Sequence, residues 1–470
     1  MPVLVSLVLA PLTFVLPQGG APATGQDPNS GGKAPLLAPA EQEALRTKLV
    51  KYIDATEAFD AATGVKPREK TGRIRDKARD EFDKEWAKFE KKGNLVASMA
   101  DMRAIFDNCF VVPAPPFSTG QLRTEKAKDD GTEYAIFLPK TYKADKAHRT
   151  VIVMPGTVAA DGTGPWTKPA DYFGAVWDKT NLVTSSIVHL CAFPAELELD
   201  TMPDFSREGD EAEEERRNRA VFSGMRELTM NFNVDRNAVF LDCGRGSSGF
   251  GLRFLSMFPD RFAGIVLRHP VAVDDLRIGS LFGKPVLILK TGANGAVVDA
   301  LKQRLDTASP GTTTVIDASD EYPHKASAGA IEEWMGKQRR TMSPPKVVIE
   351  PNHDRFKRAY WVSIDVADSL LGVPVDSRAR IEVEAERSTN RIVVKSRGVQ
   401  SFVLFLNDDL VDLDKEFTIV INDKAVVEKR VRSFRDMRDR MIGRRDWDFL
   451  FPVEFKSTVP KPAAENGEKK

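Results

Sequence analysis

The sequence predicts an α/β fold, a doubly wound and mostly parallel sheet, preceded by a small helical segment and followed by a C-terminal β domain. Three observations carry this. Through residues 130–342 short apolar runs alternate with stretches of helical periodicity, the pattern of parallel strands covered on both faces by crossover helices. Ahead of that region the periodicity is helical and the composition highly charged. After Ser343-Pro344-Pro345 the pattern turns β-rich, with turn residues such as Asn407-Asp408-Asp409 between the runs.

At 470 residues, 42% of them hydrophobic, the chain can bury a large core and divide into more than one domain. Residues 2–16 carry no charge, and Ala21-Pro22-Ala23 is a small-x-small site, so residues 1–23 read as a signal peptide too short for a stable membrane span. The Gly/Pro/Ala/Ser composition of 24–39 reads as a flexible linker. Export to a periplasmic or extracellular location is the corresponding expectation. Cys109, Cys191 and Cys243 are too few and too widely spaced for a disulfide framework or a Cys-x-x-Cys metal motif. No metal site is expected.

Taken in order, Leu45, Leu49, Tyr52, Ile53 and Phe59, then Ile74, Ala78, Phe82, Trp86 and Phe89, recur at helical spacing and define a helical unit over 40–118. The expected strands of the 130–342 domain are 134–139, 150–155, 186–190, 238–241, 263–267, 285–289 and 313–316, with helices near 219–230, 248–257, 297–305 and 326–339. The β domain, 345–456, is expected to be a helix-free sandwich with strands at 347–349, 360–364, 380–384, 391–394, 402–406 and 417–421. Residues 457–470 read as a disordered tail.

Four segments of the central region are recognisable in series: 134–142 (YAIFLPKTY), 151–156 (VIVMPG), 233–241 (NVDRNAVFL) and 258–266 (FPDRFAGIV). They resemble α/β-hydrolase-fold proteins of the secreted esterase and prolyl-oligopeptidase-like type. The resemblance covers less than half of the chain. It implies a nucleophilic serine in a Gly-x-Ser-x-Gly turn after the 238–241 strand, an acid after the 285–289 strand and a histidine base near the end of the domain.

Where that serine is expected, the chain reads Cys243-Gly244-Arg245-Gly246-Ser247-Ser248-Gly249. Family members carry the serine about fourteen positions before the proline of the Pro-Asp-Arg-Phe segment. Counting back from Pro259 reaches Arg245, so this registration has no nucleophile. A two-residue shift brings Ser247 to the turn, and an active hydrolase would use Ser247 or Ser248 with His324 as base. Losing the nucleophile costs on the order of 10⁶ in turnover, which ends acyl-enzyme chemistry. The loop expected to supply the acid has Gly295 at its position, and Asp299 reads as a surface carboxylate. His324 stands where the resemblance puts the base, while His148, His189, His269 and His353 read as structural. Gly156, in Met154-Pro155-Gly156-Thr157, occupies the oxyanion region and can still offer an N–H.

The sequence therefore predicts a catalytically degenerate, hydrolase-like pseudoenzyme. Its pocket would bind a carboxylate, sulfate or phosphate group through Arg245 and Gly156, with Ser247, Ser248 and His324 as further donors, unless Arg245 pairs internally with Asp242, Asp320 or Glu321. The literal Gly244-x-Gly246-x-x-Gly249 match to a dinucleotide fingerprint falls too late in the domain, and no cofactor is expected. With 68 basic and 68 acidic residues, no global field recruits nucleic acid. A third alternative assigns glycan or protein binding to the C-terminal domain through Tyr360, Trp361 or Trp447.

Overall fold

The computed structural model describes residues 34–128, 130–156, 169–193, 199, 210–271, 278–351, 356–368 and 377–460. The expected signal peptide, most of the linker, and residues 461–470 lie outside the described residues. Helices α1 (Pro39–Ala61) and α2 (Val65–Phe89) form a hairpin, joined by α3 (Met99–Phe106). Their apolar stripe is buried through Leu45, Leu49, Ile53, Phe82 and Trp86, while most charged positions of α2 face solvent.

The central domain runs β1 (Leu122–Lys126), β2 (Glu133–Phe137), β3 (His148–Met154), α4 (Pro169–Val176), α5 (Leu182–Ser185), β4 (Ser186–Cys191), α6 (Asp210–Asn231), β5 (Val234–Cys243), α7 (Ser248–Met257), β6 (Gly264–Arg268), β7 (Val286–Lys290), α8 (Gly295–Ala308), β8 (Thr313–Asp317) and α9 (Ala328–Lys337). These eight strands form one sheet in the order β1-β2-β4-β3-β5-β6-β7-β8. β2 runs antiparallel to both its neighbours, and all other pairings are parallel. Because side chains alternate across a strand, Ile152, Leu241, Ile265 and Ile288 pack on one face, and Val151, Phe240, Val266 and Leu287 on the other. Sequence reasoning missed β1, an edge strand whose LRTEK sequence has no buried residue.

The C-terminal domain comprises β9 (Lys346–Ile349), β10 (Arg358–Ala359), β11 (Val362–Ala367), β12 (Arg380–Glu386), β13 (Arg391–Arg397), β14 (Val399–Leu406), β15 (Phe417–Ile421), β16 (Lys424–Glu428), α10 (Phe434–Arg444) and β17 (Val453–Thr458). Its strands form two sheets, β10-β11-β14-β17 and β16-β15-β13-β12-β9, with one apolar core shared between them. Two expectations are corrected here. The region is not helix-free, because α10 interrupts it and buries Met437 and Met441 with the N-terminal helices. Tyr360, Trp361 and Trp447 form no stacking surface, because all three are buried. β17 also runs to Thr458, two residues into the expected tail. Among the described residues no helix is long and apolar enough to cross a membrane.

Candidate functional site

The candidate site lies at the carboxyl ends of β3, β5 and β6, the edge at which open parallel sheets bind ligands. β3 and β5 are neighbours that end in register, Met154 opposite Cys243. Just beyond them Gly156 and Gly244 meet. A Cβ on Gly156 would overlap the Arg245 carbonyl oxygen, and one on Gly244 would lie 2.6 Å from Gly156 N and 2.7 Å from both Tyr172 Oη and Tyr322 Oη. The chain then reverses through Gly246, whose φ of +81° lies in the region that favours glycine, and enters α7 through Ser247.

The two candidate nucleophiles are engaged. Ser247 is buried, and its Oγ donates to Met154 O at 2.8 Å and to Gly244 O at 3.1 Å. Ser248 is buried as well and donates to Gly244 O at 3.3 Å. The Ser247 backbone N–H is also spent on Gly244 O, at 3.2 Å. Arg245 N donates to Tyr322 Oη at 3.2 Å, and that phenol is hydrogen-bonded to Tyr172. Thr157 lies outside the described residues.

Arg245 is half-buried, and among the described residues no carboxylate pairs with its guanidinium. Asp242, one of its expected partners, is taken by Arg268: Nε to Oδ1 is 2.7 Å, Nη2 to Oδ2 is 2.9 Å, and both side chains are sealed from solvent. Asp320 Oδ2 accepts from Ala326 N at 2.9 Å.

At the end of β7, Gly295 is the first residue of α8. Before it, the buried Asn294 accepts from Thr291 N at 2.7 Å and donates to Leu289 O at 3.2 Å, closing the loop on itself. Asp299 is exposed and pairs with Lys290 at 2.8 Å. His324 is buried, with left-handed backbone (φ +60°). Its Nδ1 lies 2.8 Å from Asp320 O, its Nε2 has no hydrogen-bond partner among the described residues, and burial pushes its pKa down against the opposing Asp320 carbonyl.

Sequence reasoning missed His269. It follows β6 with φ +65°, its ring stacks 5.9 Å from that of His324, and its Nδ1 is buried without a partner among the described residues. Burial, helped by the nearby Arg245 charge, lowers its pKa. The usable signal was its place directly after a parallel strand, at the ligand-binding edge. Arg268, Tyr172 and Tyr322 were likewise not singled out. Arg245, His269 and His324 thus come together with unused donors or acceptors, whereas Ser247 and Ser248 face the backbone below them. Among the described residues no group of three or more His, Cys, Asp or Glu side chains could hold a metal ion.

No family model and no curated protein matches the chain. Solved structures are similar to it. One is a thermostable esterase, 19% identical over 47% of this chain and 63% of that one, with a TM-score of 0.33. A second is an S-formylglutathione hydrolase from Agrobacterium tumefaciens, 11% identical over 46% and 94%, TM-score 0.35. A third is a CE1 ferulic acid esterase from Anaeromyces mucronatus, 13% identical over 48% and 94%, TM-score 0.33. The chain therefore spans less than two thirds of the thermostable esterase. The described residues themselves show an eight-stranded, mostly parallel α/β sheet with two further sheets at the C-terminus.

Proposed function

We propose that this protein is a catalytically degenerate α/β-hydrolase-fold protein whose elbow pocket binds a small anion without cleaving it. The observation that carries the reading is Gly246. In Gly-x-Ser-x-Gly the nucleophile sits on the strained residue of the strand-to-helix turn, and here the strained, positive-φ residue is glycine. The frame becomes Gly244-Arg245-Gly246-Ser247-Ser248, one residue from each registration considered from spacing alone. The close approach of Gly156 and Tyr172 to Gly244 supports it, because the outer position of the motif must be small.

The other departures agree. An active enzyme using Ser247 or Ser248 would have to break that hydroxyl's bonds to the Met154 or Gly244 carbonyl and find an acid where Asn294 and Gly295 stand. The anion reading draws on Arg245, which has no carboxylate partner among the described residues and lies near His269, since a half-buried guanidinium gains most from a charged acceptor. Export remains part of the proposal through the composition of residues 1–23.

The test is direct. Wild-type protein should resist a fluorophosphonate probe and leave p-nitrophenyl esters intact; labelling at Ser247 or Ser248 that His324→Ala abolishes would overturn the degenerate reading. Acetate or benzoate should raise the melting temperature, and Arg245→Ala should remove the rise. An equal rise in both proteins would sink the anion pocket.

A further inference from the structure

A second group of arginines lies away from the elbow, in the seam between the central domain, the C-terminal sheets and α10. Arg358, the first residue of β10, stacks its guanidinium 4.4 Å from the Phe405 ring centroid and 4.7 Å from that of Phe449. Arg444 lies 4.4 Å from Phe449 and Arg440 lies 5.4 Å from Phe405. Arg261, which follows Asp260 in the loop after α7, acts electrostatically on Arg358 and on Arg236 of β5. Guanidinium groups are therefore held close together on an aromatic bed, an arrangement that orients their N–H forks.

The acids of the seam offset the arginines only in part: Asp260 attracts Arg261 and Arg358, and Asp446 attracts Arg236, but each carboxylate is hydrogen-bonded to another arginine. Asp260 accepts from Arg444 at 2.7 Å and from Tyr360 N at 3.3 Å. Asp446 is gripped by both Nη atoms of Arg340 at 2.8 Å. Glu454 pairs with Arg440 at 2.7 Å. Among the described residues Arg236, Arg261 and Arg358 have no ion pair, and Arg358 Nε and Nη2 are buried with no acceptor. Burial pushes Arg236 and Arg358 down to about 10, and neighbouring arginines contribute to both shifts. Burying more cations than the neighbouring carboxylates offset is costly, and an added anion would reduce that cost. Each of the three residues as a whole is half-buried, so the seam lies at the surface rather than in the core.

We propose that this seam is a second binding site, for a polyvalent oxyanion of the phosphate or sulfate ester class, held by the forks of Arg358 and Arg261 with Arg236 and Arg444 at its margin. Such a group matches the site better than a carboxylate does. Its several oxygens can accept from more than one guanidinium at once, and its charge offsets more than one cation. The proposal is independent of the elbow pocket and uses none of its residues.

Calorimetric titration of the full-length protein with inorganic pyrophosphate and with sulfate, against chloride at matched ionic strength, tests it. With the elbow site removed by Arg245→Ala in every protein titrated, saturable binding is expected for at least one oxyanion and is weakened tenfold or more by Arg358→Gln and by Arg261→Gln. Tighter pyrophosphate binding would assign phosphate chemistry, and tighter sulfate binding would assign sulfate ester chemistry. Binding no stronger than that of chloride, or affinity unchanged in the Arg261→Gln/Arg358→Gln double variant, overturns the site. Arg358→Met supplies a second readout, because it keeps an apolar stem on Phe405 and Phe449 but removes the charge. Its melting temperature without oxyanion should equal or exceed that of wild type, whereas a fall of several degrees would make Arg358 a structural stacking residue and overturn the proposal.

Discussion

Arg268 and Asp242 form an ion pair sealed from solvent directly beneath the elbow, joining the carboxyl ends of β6 and β5. Arg268 Nη1 also donates to Pro323 O at 3.1 Å, so the same guanidinium holds the loop that carries His324. The pair anchors the turn from below, and its two charges depend on each other. Asp242→Asn is expected to destabilise the protein by about 3–5 kcal/mol, because it leaves Arg268 charged, buried and only partly satisfied. Asp242→Leu combined with Arg268→Met should recover most of that loss. Urea unfolding of the three proteins checks both statements; a single variant as stable as wild type would show that the pair is not the anchor.

Gly246→Ser puts a hydroxyl on the strained residue of the turn while His324 Nε2 remains free. The expected result is slow fluorophosphonate labelling at position 246 that requires His324, beside an unlabelled wild type. With Asn294 and Gly295 in the acid's place, the rate should fall roughly 10⁴-fold short of a complete triad, the cost of losing the carboxylate that orients the base. Peptide mapping of the labelled protein reads the site. If the folded variant stays unlabelled, or is labelled with His324 replaced by alanine, position 246 is not the nucleophile position.

The elbow also marks the boundary of what the sequence can say. Strands β3 to β8 were legible because each is a short apolar run between turn residues, and the serine-hydrolase resemblance followed from four such segments in order. The tip of the turn was not legible. Spacing from Pro259 depends on how α7 and its following loop are wound, which shifts the count by one, whereas a positive φ at Gly246 is a backbone fact. His269 escaped because its meaning comes from His324, fifty-five positions away and stacked on it. α10 escaped because FRDMRDRMIGR buries only Met437, Arg438 and Met441, too thin an apolar stripe to stand out from charged loop sequence.

His189 predicts an acid-sensitive core. It lies in β4 with neither ring nitrogen hydrogen-bonded among the described residues, and burial pushes its pKa down to about 3. In the unfolded chain the same group titrates near 6.5, so the unfolded state binds the extra proton first as the pH falls. The fold therefore loses stability from about pH 6.5 downward, saturating near pH 3, by on the order of 5 kcal/mol from this residue. Urea midpoints from pH 7 to pH 4 should fall less steeply for His189→Leu than for wild type. Parallel slopes would show that His189 titrates normally. Gly224→Ala tests the packing around the ring, since a Cβ there would overlap His189 Nε2; a loss of about 1–3 kcal/mol is expected.

The N-terminal helical unit and the C-terminal domain share one core, and this makes the last prediction. Phe434, at the start of α10, stacks 3.7 Å from Trp86 and 5.7 Å from Phe82, centroid to centroid. Met437, Met441, Trp447 and Leu450 complete the cluster with Leu45, Leu49 and Phe106. Arg438 pairs with Asp83 at 3.1 Å, and Arg445 pairs with Glu57, so polar ties join the same two regions. Met441→Ala should cost about 2–5 kcal/mol, the range for deleting a fully buried side chain of that size. A Trp86→Ala/Phe434→Ala double-mutant cycle should give a coupling of about 0.5–1.5 kcal/mol, because each ring is the other's stacking partner. Deleting residues 34–110 would strip the cover from α10 and expose a contiguous apolar patch. The shortened protein is expected to self-associate in sedimentation experiments, and if it instead remains monomeric with the melting temperature of the full chain, the helical unit is an appendage rather than part of the fold.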